Sequence, residues 1–145
     1  MASDRALLRD AVETDIPVFF EHQADPEAAA MAAFPSRERD AFDAHWQRVL
    51  AGPGIAKTIV FEGRVAGNVL SWEQDGRRLV GYWLGKEFWG QGLATRALAE
   101  LIDELGTRPL YAYVAKTNIG SIRVLEKCGF VRSEEHEDED LYVLS

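Results

Sequence analysis

The apolar positions of this chain change period several times, and each change marks an element. Residues 6–12, ALLRDAV, predict a first strand. Thr14 or Asp15 is placed to cap a helix with Pro17 in its first turn, running through Val18, Phe19 and Phe20. Asp25-Pro26 breaks it, and the alanine-rich residues 26–33 predict a second helix. Phe34-Pro35-Ser36 interrupts again, with Ser36 as N-cap for a helix over residues 37–50. That helix collects Phe42, Trp46, Val49 and Leu50 on one face, and Gly52-Pro53-Gly54 ends it. Three strands in a meander follow, over residues 55–62, 65–72 and 77–84. Gly63-Arg64 reads as a tight hairpin connection and Gln74-Asp75-Gly76 as the second turn.

The rest of the chain is organised around residues 80–105, VGYWLGKEFWGQGLATRALAELIDEL. A strand ending at Leu84 passes through the glycine turn Gly90-Gln91-Gly92-Leu93-Ala94-Thr95 into a helix. Leu93, Ala97, Leu98, Leu101, Ile102 and Leu105 make one stripe at a 3.6-residue period, and Gly106 closes the helix as its C′ residue. The first-turn N–H groups of a helix have no intrahelical partner, and the helix dipole adds partial positive charge there. Glycines at 90 and 92 remove the Cβ atoms that would hold a phosphate away from those groups. An isolated Gly-x-Gly is more often a turn with tight geometry; here Ala94 extends the pattern and a second block lies downstream. Residues 110–114 predict a short strand. Residues 118–128 predict a helix with Ile119, Ile122, Leu125 and Cys128 spaced for burial, ended by Gly129. Residues 130–133 and 141–144 predict a terminal hairpin. This order gives an α/β arrangement, an α+β mixed sheet, in one domain over residues 1–145.

The blocks GYWLGKEFWGQGLAT (residues 81–95) and NIGSIRVLEKCGF (residues 118–130) together resemble the GNAT superfamily of acyl-CoA-dependent N-acyltransferases. Residues 89–94, WGQGLA, match its pyrophosphate loop, Q/R-x-x-G-x-G/A. Trp89 departs from Gln or Arg at the first position, as is usual in the RimJ/RimL branch, which the blocks look like. The resemblance implies a central mixed, mostly antiparallel sheet flanked by helices. It also implies acetyl-CoA as acyl donor, held in a gap between the strand before the central helix and the strand after it. Carried over residue by residue, Tyr82, Trp83 and Leu84 would offer backbone groups to the pantetheine arm and the acyl carbonyl. Trp89 and Gly90 open the loop, and the N–H groups of Gln91, Gly92, Leu93, Ala94 and Thr95 would cradle the pyrophosphate. Asn118 would reach the pantetheine region; a plain helix N-cap is an equal reading of it.

The implied reaction is attack of a neutral amine on a thioester. A free lysine has a pKa of about 10.4 and an α-amine of about 8, so a base matters more for the former. A backbone N–H near Leu84 is the candidate donor to the oxyanion. Many members of the family carry a tyrosine acid seven residues after the asparagine, where this chain has Leu125. Ser121 is the nearest hydroxyl and the candidate acid, against the reading that it bonds its own helix. Tyr82, Tyr111 and Tyr113 are alternatives. Glu73, at the end of the third meander strand, is the candidate base, against the reading of a solvated turn residue. His22 and His45 are read as surface histidines. Trp46, Trp72 and Trp83 are candidates to line an acceptor pocket, though core is the default for tryptophan. Cys128 reads as packing. The implied function is acetyl transfer to a primary amine of a small molecule or a protein N-terminus. The alternative is a module that holds coenzyme A with little or no turnover. A P-loop would need G-x-x-x-x-G-K-[ST], which is absent.

Composition narrows the partners. With 47% apolar and 28% charged residues in 145, the chain is of ordinary globular make-up with room for a core. A net charge of −8 argues against nucleic acid as the main partner and favours a cationic amine through the overall field. Much of the excess sits in residues 134–140, read as a solvated loop or strand edge. No apolar run suits a membrane span, and the first residues are too acidic for a signal peptide. A lone cysteine leaves no disulfide and no thiolate metal cluster, so a cytoplasmic enzyme without metal is expected. The exposed terminal strands admit a homodimer, and the acidic run equally admits a protected edge.

Overall fold

A computed structural model describes residues 7–32 and 37–145. In chain order they form β1 (Leu7–Asp10), α1 (Ile16–Ala24), α2 (Pro26–Ala32), α3 (Arg39–Ala51), β2 (Ile55–Phe61), β3 (Arg64–Gln74) and β4 (Arg77–Leu84). Then come α4 (Leu93–Leu105), β5 (Leu110–Ala115), α5 (Ile119–Lys127), β6 (Val131–Glu135) and β7 (Glu139–Leu144). The strands make one seven-stranded sheet in the order β1-β2-β3-β4-β5-β7-β6. Only β4 and β5 are parallel; every other neighbouring pair is antiparallel. This is the mixed, mostly antiparallel sheet flanked by helices expected from the sequence.

The meander turns follow from two residues with positive φ in each. Glu62 (φ 51°) and Gly63 (φ 77°) join β2 to β3, and Asp75 (φ 53°) and Gly76 (φ 78°) join β3 to β4. Such turns match the twist of a two-residue hairpin. The first turn is therefore Glu62-Gly63, and Arg64, expected in the turn, begins β3 and pairs with Phe61.

Alternation along β3 sends successive side chains to two cores. Val69 packs with Val80, Leu98, Leu101, Leu110 and Leu125 beneath α4 and α5. Leu70 packs on the opposite face, with Ile16, Phe19, Phe42 and Trp46 of α1 and α3. Phe19 and Trp46 rings lie 4.7 Å apart there. The α4 stripe is buried as its period demands: Leu93, Ala97, Leu98 and Leu101 are each at most 1% exposed. Gly106, at φ 59°, closes α4 by donating its N–H to Ile102 O.

Several boundaries differ from expectation for local reasons. Asp15 stands at the N-cap of α1, but its carboxylate caps no N–H of that helix. It accepts from Val12 N–H (3.0 Å), from the two terminal guanidinium nitrogens of Arg9 (2.8 Å each) and from Thr58 Oγ1 (2.7 Å). A buried carboxylate thus pins β1, the entry to α1 and β2 together. Asp25 caps α2, accepting from Glu27 and Ala28 N–H at 2.9 and 3.1 Å. Ser36 lies outside the described residues, and α3 begins later than residue 37, with Glu38 at its N-cap. The cause is buried Gln23, whose carboxamide takes both backbone groups of Arg37, at 3.0 and 3.3 Å. Ile119, expected in the core, is 54% exposed, because α5 turns Leu125 rather than its first turn to the sheet. Within the acidic run Glu135, Glu137, Asp138 and Glu139 are exposed as expected, while Asp140 is buried and held by Lys116 at 2.9 Å. Among the described residues no helix is long and apolar enough to cross a membrane.

Candidate active site

The parallel pair is where the sheet opens. β4 and β5 are in register only at Leu79 and Tyr111. Beyond that point β4 stays bonded to β3 as far as Leu84, opposite Gly67, while among the described residues no strand pairs with its other edge. A parallel ladder that stops early leaves backbone groups of the last turn of β4 facing a gap instead of a neighbour. A cavity of about 470 Å³ occupies this gap. Tyr82, Trp83 and Leu84 border it from the sheet, Asn118, Ser121 and Val124 from α5, and Ala28 and Met31 from α2.

The glycine turn forms the next wall. Gly90 (φ 80°) and Gly92 (φ 76°) both occupy the left-handed region, and a Cβ on either would meet no protein atom within 4 Å. The glycines are therefore not demanded by packing; they serve the backbone path and keep the space in front of it open. Gly92 is the N-cap of α4, and the first intrahelical bond runs from Arg96 N–H to Gly92 O at 3.2 Å. The N–H groups of Leu93, Ala94 and Thr95 precede that bond and have no partner within the helix. Trp89 acts locally, since its indole N–H donates to Leu84 O at 3.0 Å and ties the end of β4 to the turn.

At the other wall two hydroxyls meet. Tyr82 OH donates to Ser121 Oγ at 2.9 Å. Ser121 N–H donates to Asn118 Oδ1 at 3.2 Å, so Asn118 is the N-cap of α5. Its carboxamide oxygen is committed to that cap, which leaves the NH₂ group as the part able to serve the cavity. Burial pushes the Tyr82 hydroxyl pKa up, with the bond to Ser121 opposing, so Tyr82 remains a protonated donor at neutral pH. Cys128 is half-buried and its thiol bonds weakly to Thr95 O at 3.7 Å. Burial raises its pKa, which favours the inert thiol over the thiolate.

The structure thus brings Tyr82, Trp83, Leu84, Trp89, Gly90, Gly92, Leu93, Ala94, Thr95, Asn118 and Ser121 to one cavity. Gln91 sits exposed in the turn without bordering it. Glu73 is not brought there either: it is exposed and paired with Arg78 at 3.2 Å. Trp46 lies in the core under α1 and α3, and Trp72 lies over Gly81 at 3.3 Å from where a Cβ would stand. His22, expected at the surface, is buried against Gly85, where a Cβ would come within 2.7 Å of the imidazole. Burial lowers its pKa, with Glu87 and Glu21 opposing. The lining residues not foreseen are Ala28 and Met31 of α2 and Gly120, Arg123, Val124 and Lys127 of α5. The spacing of Ser121, Val124 and Lys127 along one helix face was legible; the approach of α2 was not. Among the described residues no group of three or more His, Cys, Asp or Glu side chains could hold a metal ion.

A mixed sheet that splays at its one parallel pair, beside a glycine turn and a helix N-terminus, is the arrangement that the sequence resemblance implied. A model of the acetyltransferase (GNAT) domain family matches residues 5–131, and the chain belongs to that family. The uncharacterized N-acetyltransferase p20 from Bacillus licheniformis is 28% identical over 143 residues, covering 88% of this chain and 80% of that protein. The solved structure of RimL, a ribosomal-protein α-N-acetyltransferase in complex with coenzyme A, superposes with a TM-score of 0.81 at 18% identity, covering 97% of this chain and 93% of that one. The aminoglycoside acetyltransferase AAC(6')-Ib in complex with coenzyme A does so with a TM-score of 0.81 at 17% identity, covering 95% and 92%. At these identities the two solved structures speak to the fold alone.

Proposed function

We propose that this protein is a RimJ/RimL-like N-acetyltransferase, acting as a single domain, that moves an acetyl group from acetyl-CoA directly to a primary amine. The observation that carries the reading is the make-up of one cavity. The open glycine turn and the first-turn N–H groups of α4 border it, and so does the Tyr82–Ser121 hydroxyl pair. The first is suited to a pyrophosphate and the second to a departing sulfur. The neutral amine attacks the thioester carbon, the C–N bond forms, and the oxyanion is met by backbone N–H donors near Leu84. As the C–S bond breaks, Ser121 Oγ–H donates to the thiolate. The thiol has a pKa of about 8.5, so protonation assists without being indispensable. The amine proton leaves to water or to a base such as Glu73, which stands outside this cavity and would be reached through water.

The acceptor is a small-molecule amine or a protein N-terminus. Both kinds occur among the structural relatives, a ribosomal protein for RimL and an aminoglycoside for AAC(6')-Ib. The test is calorimetric titration of the folded protein with acetyl-CoA and with CoA, followed by an amine screen read as thiol release. Micromolar binding with release on some amine is expected. Binding without turnover on any amine would favour the CoA-holding module, and no binding of either would reduce the glycine turn to a structural feature.

A further inference from the structure

The end of β4 is held from several sides, and one of the contacts has no local reason. Gly85 follows Leu84 and donates its N–H to Ala66 O, on β3, at 2.8 Å. Successive N–H groups of an extended strand point to opposite edges, so the N–H of Leu84 points the other way, into the gap. Trp89 takes Leu84 O on that side at 3.0 Å. Gly67 of β3 lies flush against the strand, where a Cβ would run into Trp83 O. The remaining contact is His22 of α1, whose imidazole lies over Gly85.

Gly85 has φ −60° and ψ 140°, a conformation open to any residue. The backbone therefore does not ask for glycine at this position. The ring of His22 does, since a Cβ on Gly85 would stand 2.7 Å from both Cδ2 and Nε2 of the imidazole. Nor does stability ask for histidine. His22 is 9% exposed, and its Nδ1 is buried with no hydrogen-bond partner among the described residues. A buried polar atom without a partner is destabilising, and an apolar side chain of similar volume would fill the space without one. Burial also disfavours the charged ring, so the imidazole meets Gly85 as a neutral group. Glycine and histidine are thus matched to each other, beside the residue whose N–H faces the gap.

We propose that His22 is a positioning residue for acetyl transfer: its ring, seated on Gly85, sets the backbone at the end of β4 so that the Leu84 N–H meets the oxyanion. This inference rests on the acetyl-transfer reading above. His22 does not border the reaction cavity but a separate cleft, with Glu21, Asp25, Lys86 and Glu87, so it acts through the backbone alone. The oxyanion bond strengthens only as charge develops, and a misplacement of about 1 Å can lower the rate about a hundredfold. The glycine turn and the first turn of α4, which would hold the donor in its ground state, do not touch the ring.

The test exchanges size between the two positions. It is read as thiol release at saturating acetyl-CoA and amine, with thermal unfolding to show that each variant is folded. His22→Ala leaves the strand end unsupported and is expected to lower kcat about tenfold or more, with KM for acetyl-CoA within about twofold. Gly85→Ala presses on the ring and is expected to do the same. The double variant, His22→Ala with Gly85→Ala, puts a methyl group into the space the ring vacates and is expected to recover to within about threefold of wild type. Full kcat in folded His22→Ala would overturn the assignment, whatever Gly85→Ala does. Losses that multiply in the double variant would overturn it too, as would a loss carried by KM with kcat unchanged. If the folded wild type released no thiol with any amine, the acetyl-transfer reading itself would fall, and the assignment with it.

Discussion

Replacing Ser121 by alanine tests the chemistry most directly. Ser121 Oγ already accepts a hydrogen bond from Tyr82 OH at 2.9 Å, so its own proton is the one left to give. Ser121 N–H is used separately, by Asn118 at 3.2 Å, and survives the substitution. A hydrogen bond to a charged acceptor is worth about 1.5–3 kcal/mol, which converts to a fall in kcat of about 10- to 150-fold. The bond forms only as charge develops on sulfur, so KM for acetyl-CoA should stay within about twofold. The same change leaves the half-buried Tyr82 hydroxyl without its acceptor, at a cost of about 1–3 kcal/mol in stability. Tyr82→Phe is the companion. It keeps the Ser121 proton and removes only the polarising bond, so a smaller fall of about three- to tenfold is expected. The assay is thiol release at saturating amine, with thermal unfolding alongside to separate the stability loss. Full kcat in folded Ser121→Ala would refute the assignment. A larger loss in Tyr82→Phe than in Ser121→Ala would make the tyrosine the donor.

The remaining predictions concern the turn, the strand end and the buried carboxylate. Gly92→Ala must adopt φ 76°, which costs about 1–2 kcal/mol for a residue with a Cβ. The buried stripe of α4 keeps the helix in place, so CoA affinity should fall with the fold intact by circular dichroism; unchanged affinity would sink the anion-turn assignment. Trp89→Phe removes the bond to Leu84 O and should lower the melting temperature by a few degrees, for a loss of about 1 kcal/mol, without abolishing acetyl-CoA binding. Asp15 is pushed up by burial, but the bonds from Arg9, Thr58 and Val12 outweigh this and hold its pKa below the usual carboxylate value. The folded-state pKa is thus below the unfolded one. The stability it contributes is complete above about pH 4 and is lost as pH falls through the folded value. Asp15→Asn should therefore cost roughly 2–4 kcal/mol at pH 7, and the difference from wild type should shrink in acid. A pH-independent difference in denaturant midpoints would contradict that sign.

How much of this could be read beforehand depended on the range of the interactions involved. The meander, α4 and the glycine turn were legible because each is fixed by neighbours in sequence: a turn needing positive φ, a stripe at one period, a glycine at each end. β4 spans residues 77–84 as expected, because the Asp75-Gly76 turn bounds its start. What was not legible depends on groups far apart in the chain. Gln23 sets the start of α3 by occupying Arg37 across fourteen positions. His22 is buried only because Gly85 leaves room for its ring. Glu73 sits at the end of β3 as expected, but the direction of the strand carries it to solvent and to Arg78. In the candidate site the backbone features were foreseen, while the lining by Ala28 and Met31 required knowing how α2 folds back.

The missing tyrosine is where sequence and structure bear on each other. Leu125 stands where the family resemblance implies a tyrosine, and it is 3% exposed, packed into the core beneath α4 and α5. A tyrosine there would need another path to the cavity, since this face of α5 is turned to the sheet. The hydroxyl in this chain comes from the sheet instead: Tyr82 rises from β4 and meets Ser121 one helical turn before Leu125. Strand and helix approach the same gap from opposite sides, so a donor is set between them without a polar group at position 125. The loss of the helix tyrosine is then no argument for lost turnover, provided Ser121 and Tyr82 act as the kinetics above require.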